Sequence, residues 1–171
     1  MSTKELLKLG QQLQRSSKLS TGYDSTQLIF SSVSEEYVSL LYSRNSKVET
    51  WPIYKNPISS TNSVYLSPDS ESNLTLSDLQ NFDSFIIGGI VDETVQSNQS
   101  IQKANASNIQ TRCIPIKEHL EVPKGCNPNP CLAINHVVEI LLSLLSGRDF
   151  SSTLLQVLPK RYGFLKKKLN K

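Results

Sequence analysis

The best-placed reactive side chain in this sequence is Asp92. It ends an apolar run of strand type in FIIGGIVDE, residues 85–93, which stops at Gly88 and Gly89, resumes as Ile90 and Val91, and then delivers the carboxylate. Glycine weakens a strand interior through backbone entropy and lost packing, so the pair requires compensation, either a bulge or the close approach of a ligand or a second backbone. Ligands of α/β folds bind beyond the carboxyl ends of their strands, which is where Asp92 falls. A carboxylate there can take a proton or orient a substrate edge. It can equally be the polar end of a buried strand, and the spacing does not choose. The G-x-G-x-x-G spacing of dinucleotide-binding folds is absent.

Cys126 and Cys131 in GCNPNPC, with His136 nearby, invite a metal reading. A single C-x4-C in a Pro/Asn loop lacks the second ligand pair of a zinc site, and His136 on the first turn of an apolar helix reads as a capping or packing residue. No G-x-S-x-G, H-E-x-x-H or Walker motif occurs, which removes the best-marked hydrolases, metalloproteases and phosphoryl-transfer enzymes. The three cysteines are an odd number without a signal-peptide core near Met1, which points to a reducing, intracellular compartment. No apolar run approaches the ~20 residues of a membrane span. A formal charge of +3 is too mild to establish nucleic-acid binding. The basic ending LPKRYGFLKKKLNK suits phosphate contacts or a solvated terminus.

These residues need a scaffold, and 171 residues with 37% hydrophobic content suffice for one core. Leu6, Leu9 and Leu13 mark a helix over Ser2 to about Gln14. QLIFSSVS reads as a strand and SEEYVSLLYSRN as a helix with a Ser cap and acids in its first turn. The two prolines and Ser/Asn cluster of KVETWPIYKNPISSTNS predict an irregular connection. SVYLS (strand), LTLSDLQNF (helix), DSFIIGGIVD (strand), NQSIQKANASN (helix) and IQTRCIPI (strand) then alternate. That pattern predicts an α/β fold with a mostly parallel sheet covered on both faces. In INHVVEILLSLLSG, Ile134, Val137, Val138, Leu141, Leu142 and Leu145 share one face, and Gly147 ends the helix. A last helix runs from an Asp149 cap to Pro159.

Five segments in this order, VYLSPDS, FIIGGIVDE, IQKANASNIQTRCIPIKEHLE, LAINHVVEILL and LLQVLPKR, resemble those of the SPOUT-class tRNA methyltransferases that modify N1 of the purine at position nine. Together they reach from Ser63 to Arg161. The resemblance implies a SPOUT-type α/β fold with a C-terminal deep trefoil knot, an exception to the rule against knots. It implies S-adenosyl-L-methionine as cofactor, tRNA as partner with guanine as the favoured purine, no metal, and a monomer. Carried over residue by residue, the cofactor contacts are Leu66, Gly88, the loop Asp92, Glu93, Thr94, Val95 and Gln96, then Ser100, Ile114, Ala133, Ile134 and Asn135. Asp92 becomes the catalytic carboxylate, handling the N1 proton or orienting the base. Lys103, Lys160 and Arg161 match basic positions suited to phosphates.

The resemblance also predicts that the first core strand and the basic N-terminal extension of relatives are missing. Residues 1–165 are then one domain and 166–171 a basic tail. The insert PKGCNPNPC has no counterpart. Two readings stay open: an active methyltransferase, or a shortened paralogue that keeps the fold as a cofactor-binding, RNA-binding or partner module. Nucleus or cytoplasm fits better than mitochondrion.

Overall fold

The computed structural model describes residues 2–43, 51, 53–54, 62–89 and 98–167. Helix α1, Thr3–Ser20, opens with a capping box in which Ser2 and Glu5 satisfy each other's backbone N–H groups. It runs six residues past the Gln14 end expected from apolar spacing. Its second half contains serines, which usually compete with helix, but Ser16 Oγ donates to Gln12 O at 2.9 Å and Ser20 Oγ to Ser17 O at 2.8 Å. Ser16 is fully buried, so packing outweighs propensity there.

The strand expected over Gln27–Ser34 is only β1, Phe30–Ser31, because Ser32 adopts a left-handed backbone (φ 57°). Its parallel partner β2, Ile53–Tyr54, lies within the segment expected to be irregular. Pairing is explained by burial: Trp51 is buried and packs edge-on against Phe30, ring centroids 5.5 Å apart. Helix α2, Glu35–Tyr42, lies between them in sequence, capped by Ser34.

The central sheet is β4-β3-β5, all parallel, from β3 Ser63–Leu66, β4 Ser84–Ile87 and β5 Gln110–Arg112. Helix α3, Leu76–Asn81, joins β3 to β4, and α4, Gln99–Ala106, precedes β5. The strands are short, and their carboxyl ends Leu66, Ile87 and Arg112 stand side by side in register. Leu66, Phe85 and Ile87 pack into a core with Ile140, Leu141, Phe150 and Leu154 on one face. On the other face the Tyr65 hydroxyl and Ser100 Oγ of α4 both lie against Gly88. The sheet is therefore covered by helices on both faces, as the strand–helix alternation predicts.

After β5 come α5, Ile116–His119, and β6, Leu120–Glu121, which pairs antiparallel with β7, Leu165–Lys166. Helix α6, Ile134–Leu145, differs from the one-faced helix expected. Ile140, Ser143 and Leu144 are buried as well as Ile134, Val138, Leu141 and Leu142, while Leu145 is partly exposed. The reason is its position between two cores, one shared with the sheet and α7, Phe150–Val157, the other with α1, α2 and Trp51. A helix packed between two cores is buried over more than one face. Gly147 (φ 91°) and the Asp149 cap, which accepts the Ser152 N–H at 2.9 Å, turn the chain into α7 as expected.

Candidate functional site

A cavity of about 250 Å³ opens beyond the carboxyl ends of the parallel strands. Leu66 at the end of β3, Gly88 just past β4, Ser100 in the first turn of α4, Ile114 after β5 and Ile134 at the start of α6 all line it. Five residues assigned to one pocket from separate segments thus converge. Ala133 and Asn135 do not line it: Ala133 is the cap residue of α6, and Asn135 is buried, its Oδ1 without a hydrogen-bond partner among the described residues. Asp92, Glu93, Thr94, Val95 and Gln96 lie outside the described residues.

The strand part of FIIGGIVDE ends at Ile87, and Gly88 has a packing reason for its missing side chain. A Cβ there would come within 2.9 Å of the Tyr65 hydroxyl and 3.4 Å of Ser100 Oγ. Tyr65 is buried, and burial pushes its hydroxyl above the ordinary phenol range, opposed by the Ser100 hydrogen bond. Gly88, Tyr65 and Ser100 therefore fit against one another at the edge of the cavity. A Cβ on Gly89 would meet nothing within 4 Å.

Several lining residues carried no assignment from sequence. Asp69, in the turn after β3, accepts the backbone N–H of Asn98 through Oδ2 at 2.8 Å. Asn98 has φ 66° and no side-chain capping bond, so Asp69 holds the start of α4, where Gln99 and Ser100 line the cavity. The strand-end rule that singled out Asp92 applies to the Pro68–Asp69 turn as well. The insert contributes Asn127, Asn129, Pro130 and Cys131. Gln12 of α1 accepts the Ile134 N–H at 2.8 Å, tying the first turn of α6 to α1. No local pattern signals that contact across so many residues.

Among the described residues, no group of three His, Cys, Asp or Glu side chains could hold a metal ion. Cys126 and Cys131 are exposed and form no disulfide. His136 is half-buried, and burial lowers its pKa; Glu139 raises it, while Arg161 and Arg15 lower it further. The charges of α1, α6 and the 3-10 turn Lys160–Tyr162 thus meet at the first turn of α6. Lys160 and Arg161 are exposed, and the Arg161 guanidinium lies 5.4 Å from the Tyr162 ring centroid. Lys103 is exposed on α4, in a shallow groove with Gln99, Gln102 and Ala106. No described helix is long and apolar enough to cross a membrane.

The sequence profile of the tRNA (guanine(9)-N(1))-methyltransferase TRM10/TRM10A family matches residues 1–163. The chain belongs to that family. It is 36% identical over 104 residues to the Schizosaccharomyces pombe tRNA (guanine(9)-N1)-methyltransferase, covering 61% of this chain and 32% of that protein. It is 40% identical over 94 residues to the Rattus norvegicus tRNA methyltransferase 10 homolog B, covering 53% and 29%. The matched region thus spans about a third or less of those curated relatives. Among solved structures, full-length spTrm10 in complex with SAH superposes with a TM-score of 0.76 at 23% identity, over 93% of this chain and 88% of that one. A dual-specific Trm10 from Thermococcus kodakaraensis gives 0.67 at 22% identity, over 92% of each. The likeness shows the fold: this is the SPOUT-type α/β arrangement, a parallel sheet flanked by helices.

Proposed function

We propose that this chain transfers the methyl group of S-adenosyl-L-methionine to N1 of guanine at position nine of tRNA, with the cavity as the cofactor site. The observation that supports this most is the convergence of Leu66, Gly88, Ser100, Ile114 and Ile134 on one space at the carboxyl ends of three parallel strands. The lining fits such a group. Its walls are largely apolar, suited to a purine ring and a thioether. Asp69 is the charged residue among the described lining side chains, suited to an ammonium. The cofactor would supply an already activated methyl group, which makes metal chemistry unnecessary.

The work left to the protein is alignment and the N1 proton. Leu66, Ile114 and Ile134 would hold the cofactor from its apolar sides. The Gly88–Tyr65–Ser100 contact would set the width of the pocket at the root of the loop that carries Asp92. Asp92 takes the proton directly or through water, or orients the base edge by accepting its N1–H. An ordinary aspartate, pKa about 3.9, is a weak base for guanine N1, so the orienting role is as physical as the basic one. Glu93, Thr94, Val95 and Gln96 continue the same loop in this reading, and Ala133 and Asn135 contribute backbone contacts. Lys103, Lys160 and Arg161, with Arg15 beside His136, would meet tRNA phosphates, a salt-dependent contribution. The C-terminal trefoil knot and a monomeric state belong to the same proposal.

The deciding experiment measures S-adenosylhomocysteine binding and single-turnover methylation of a tRNA with guanine at position nine. Binding and turnover by the unmodified chain, with turnover lost and binding kept in Asp92→Asn, is the expected result. Binding without turnover by the unmodified chain would instead favour the non-catalytic module. No binding by folded protein would sink the cofactor reading.

A further inference from the structure

The turn after β3 is braced from behind by β5. The Ser70 N–H donates to Ser67 O at 3.3 Å, closing a turn with Pro68 at its second position and Asp69 at its third. Ser67 is buried, and its N–H donates to Arg112 O at 2.9 Å. Ser70 is buried as well, and its hydroxyl meets Thr111 Oγ1 at 2.9 Å. The Asp69 N–H adds a bond to Ser67 Oγ at 3.3 Å. The exposed Asp69 carboxylate is therefore mounted on β5 through two buried serines. From that mount Oδ2 accepts the Asn98 N–H at 2.8 Å, and Oδ1 has no partner among the described residues.

Asn98 needs such a partner. Its φ of 66° is left-handed, a conformation that asparagine adopts more readily than most residues but at a cost that glycine escapes. Its side chain makes no capping bond, while its carbonyl accepts the Gln102 N–H at 2.9 Å and so begins α4. Two residues on, Ser100 lines the cavity with its Oγ against Gly88. A shift at Asn98 is thus passed within one turn to the wall of the pocket. Resting on the function proposed above, we infer that Asp69 is a positioning residue for methyl transfer. Through Oδ2 and the Asn98 N–H it fixes the first turn of α4, and with it the wall against which the cofactor is aligned. This role is separate from attraction of a cofactor ammonium to the carboxylate, because the bond to Asn98 requires an acceptor and not a charge.

The two contributions part in a set of variants of the full chain. Asp69→Asn keeps an oxygen for Asn98 and loses the charge, so it should raise KM for S-adenosyl-L-methionine and hold kcat for tRNA methylation within about twofold. Asp69→Ala loses both and should also lower kcat about tenfold, since small misplacements of reacting groups are costly. Asp69 is exposed, so its truncation should leave the fold intact. Asn98→Gly adopts the left-handed bend without help. In the Asp69→Ala background it should return most of the lost kcat and leave KM raised. Amide hydrogen exchange of the cofactor-free protein gives a readout independent of activity. The Gln102 amide should exchange faster in Asp69→Ala and at the parent rate in Asp69→Asn, with the double variant close to the parent. A merely structural role would lower thermal stability and leave kcat alone. Equal kcat in folded Asp69→Ala and Asp69→Asn, or Gln102 exchange unmoved by Asp69→Ala, overturns the positioning role while the functional reading stands. No methylation by the unmodified protein overturns both.

Discussion

The side-chain oxygen of Gln12 accepts the backbone N–H of Ile134 at 2.8 Å, joining the middle of α1 to the first turn of α6. The cap residue of α6, Ala133, offers no side-chain acceptor, so Gln12 fills that role from another helix. Ile134 is buried and lines the cavity. Gln12→Leu leaves its N–H without a partner and should cost about 1–3 kcal/mol. It should also weaken S-adenosylhomocysteine binding by loosening that wall. Gln12→Glu keeps the acceptor and places a negative charge at a helix N-terminus, so it should hold stability near the original value. Urea unfolding and ligand titration of both variants check this; equal losses in the two would exclude the capping role.

Gly88 and Tyr65 make the second pair. A Cβ at 2.9 Å from a buried tyrosine hydroxyl requires one of them to move. Overpacking of this kind costs about 1–3 kcal/mol. Gly88→Ala should be destabilising by that amount, and Tyr65→Phe, which removes the clashing oxygen, should return part of it in the double variant. Tyr65→Phe removes the same hydroxyl in both backgrounds, so the rescue isolates the steric contribution. Strictly additive effects in the double-mutant cycle would mean that the two residues do not meet.

The reach of sequence reasoning follows from the range of the forces involved. Local rules were sufficient at the α6–α7 corner, where Gly147 takes φ 91° and the Asp149 cap meets Ser152. They were sufficient for the β3, α3, β4, α4, β5 alternation, whose patterns are each internal to one element. They failed where a distant partner decides. β2 exists because Phe30 and Trp51 bury each other, and the second half of α1 is helical because a core covers Ser16. The burial of α6 beyond one face depends on two cores assembled from separate parts of the chain. For the site, five of the residues singled out by resemblance, Leu66, Gly88, Ser100, Ile114 and Ile134, line one cavity. Resemblance had no counterpart for the insert and no pattern for Gln12.

Arg112 closes β5 against α3. Its Nε donates to Asp78 Oδ2 at 3.2 Å, and its guanidinium lies 5.6 Å from the centroid of the Phe82 ring. Burial raises the Asp78 carboxyl, but the Thr75 N–H and hydroxyl and the Arg112 guanidinium outweigh it and hold the pKa below 3.8. Arg112→Leu should destabilise by about 1–3 kcal/mol, the range for stranding a largely buried polar group. The folded pKa is the lower one, so this contribution is complete above the ordinary value of 3.8 and is lost as pH falls below it. The variant should therefore lose less stability than the parent between pH 5 and pH 3 in urea titrations. Parallel declines would rule out the ion pair as the cause.

His119 stacks on Phe150, ring centroids 4.7 Å apart and planes 13° apart, against the core of α6 and α7. Burial lowers its pKa first; Glu118 and Asp149 raise it, and Lys167 lowers it. His136 is lowered by burial in the same way. For both, the folded state favours the neutral ring, so the unfolded chain takes up protons first as pH falls. Stability is then complete above the ordinary histidine value of 6.5 and declines as pH drops from there towards the folded pKa. The expected record is a fall in unfolding free energy between pH 7.5 and pH 5. His119→Phe keeps a ring on Phe150 and cannot be protonated, so its decline should be shallower, with His136 accounting for part of what remains. An equally steep decline in the phenylalanine variant would remove His119 from the acid sensitivity of this fold.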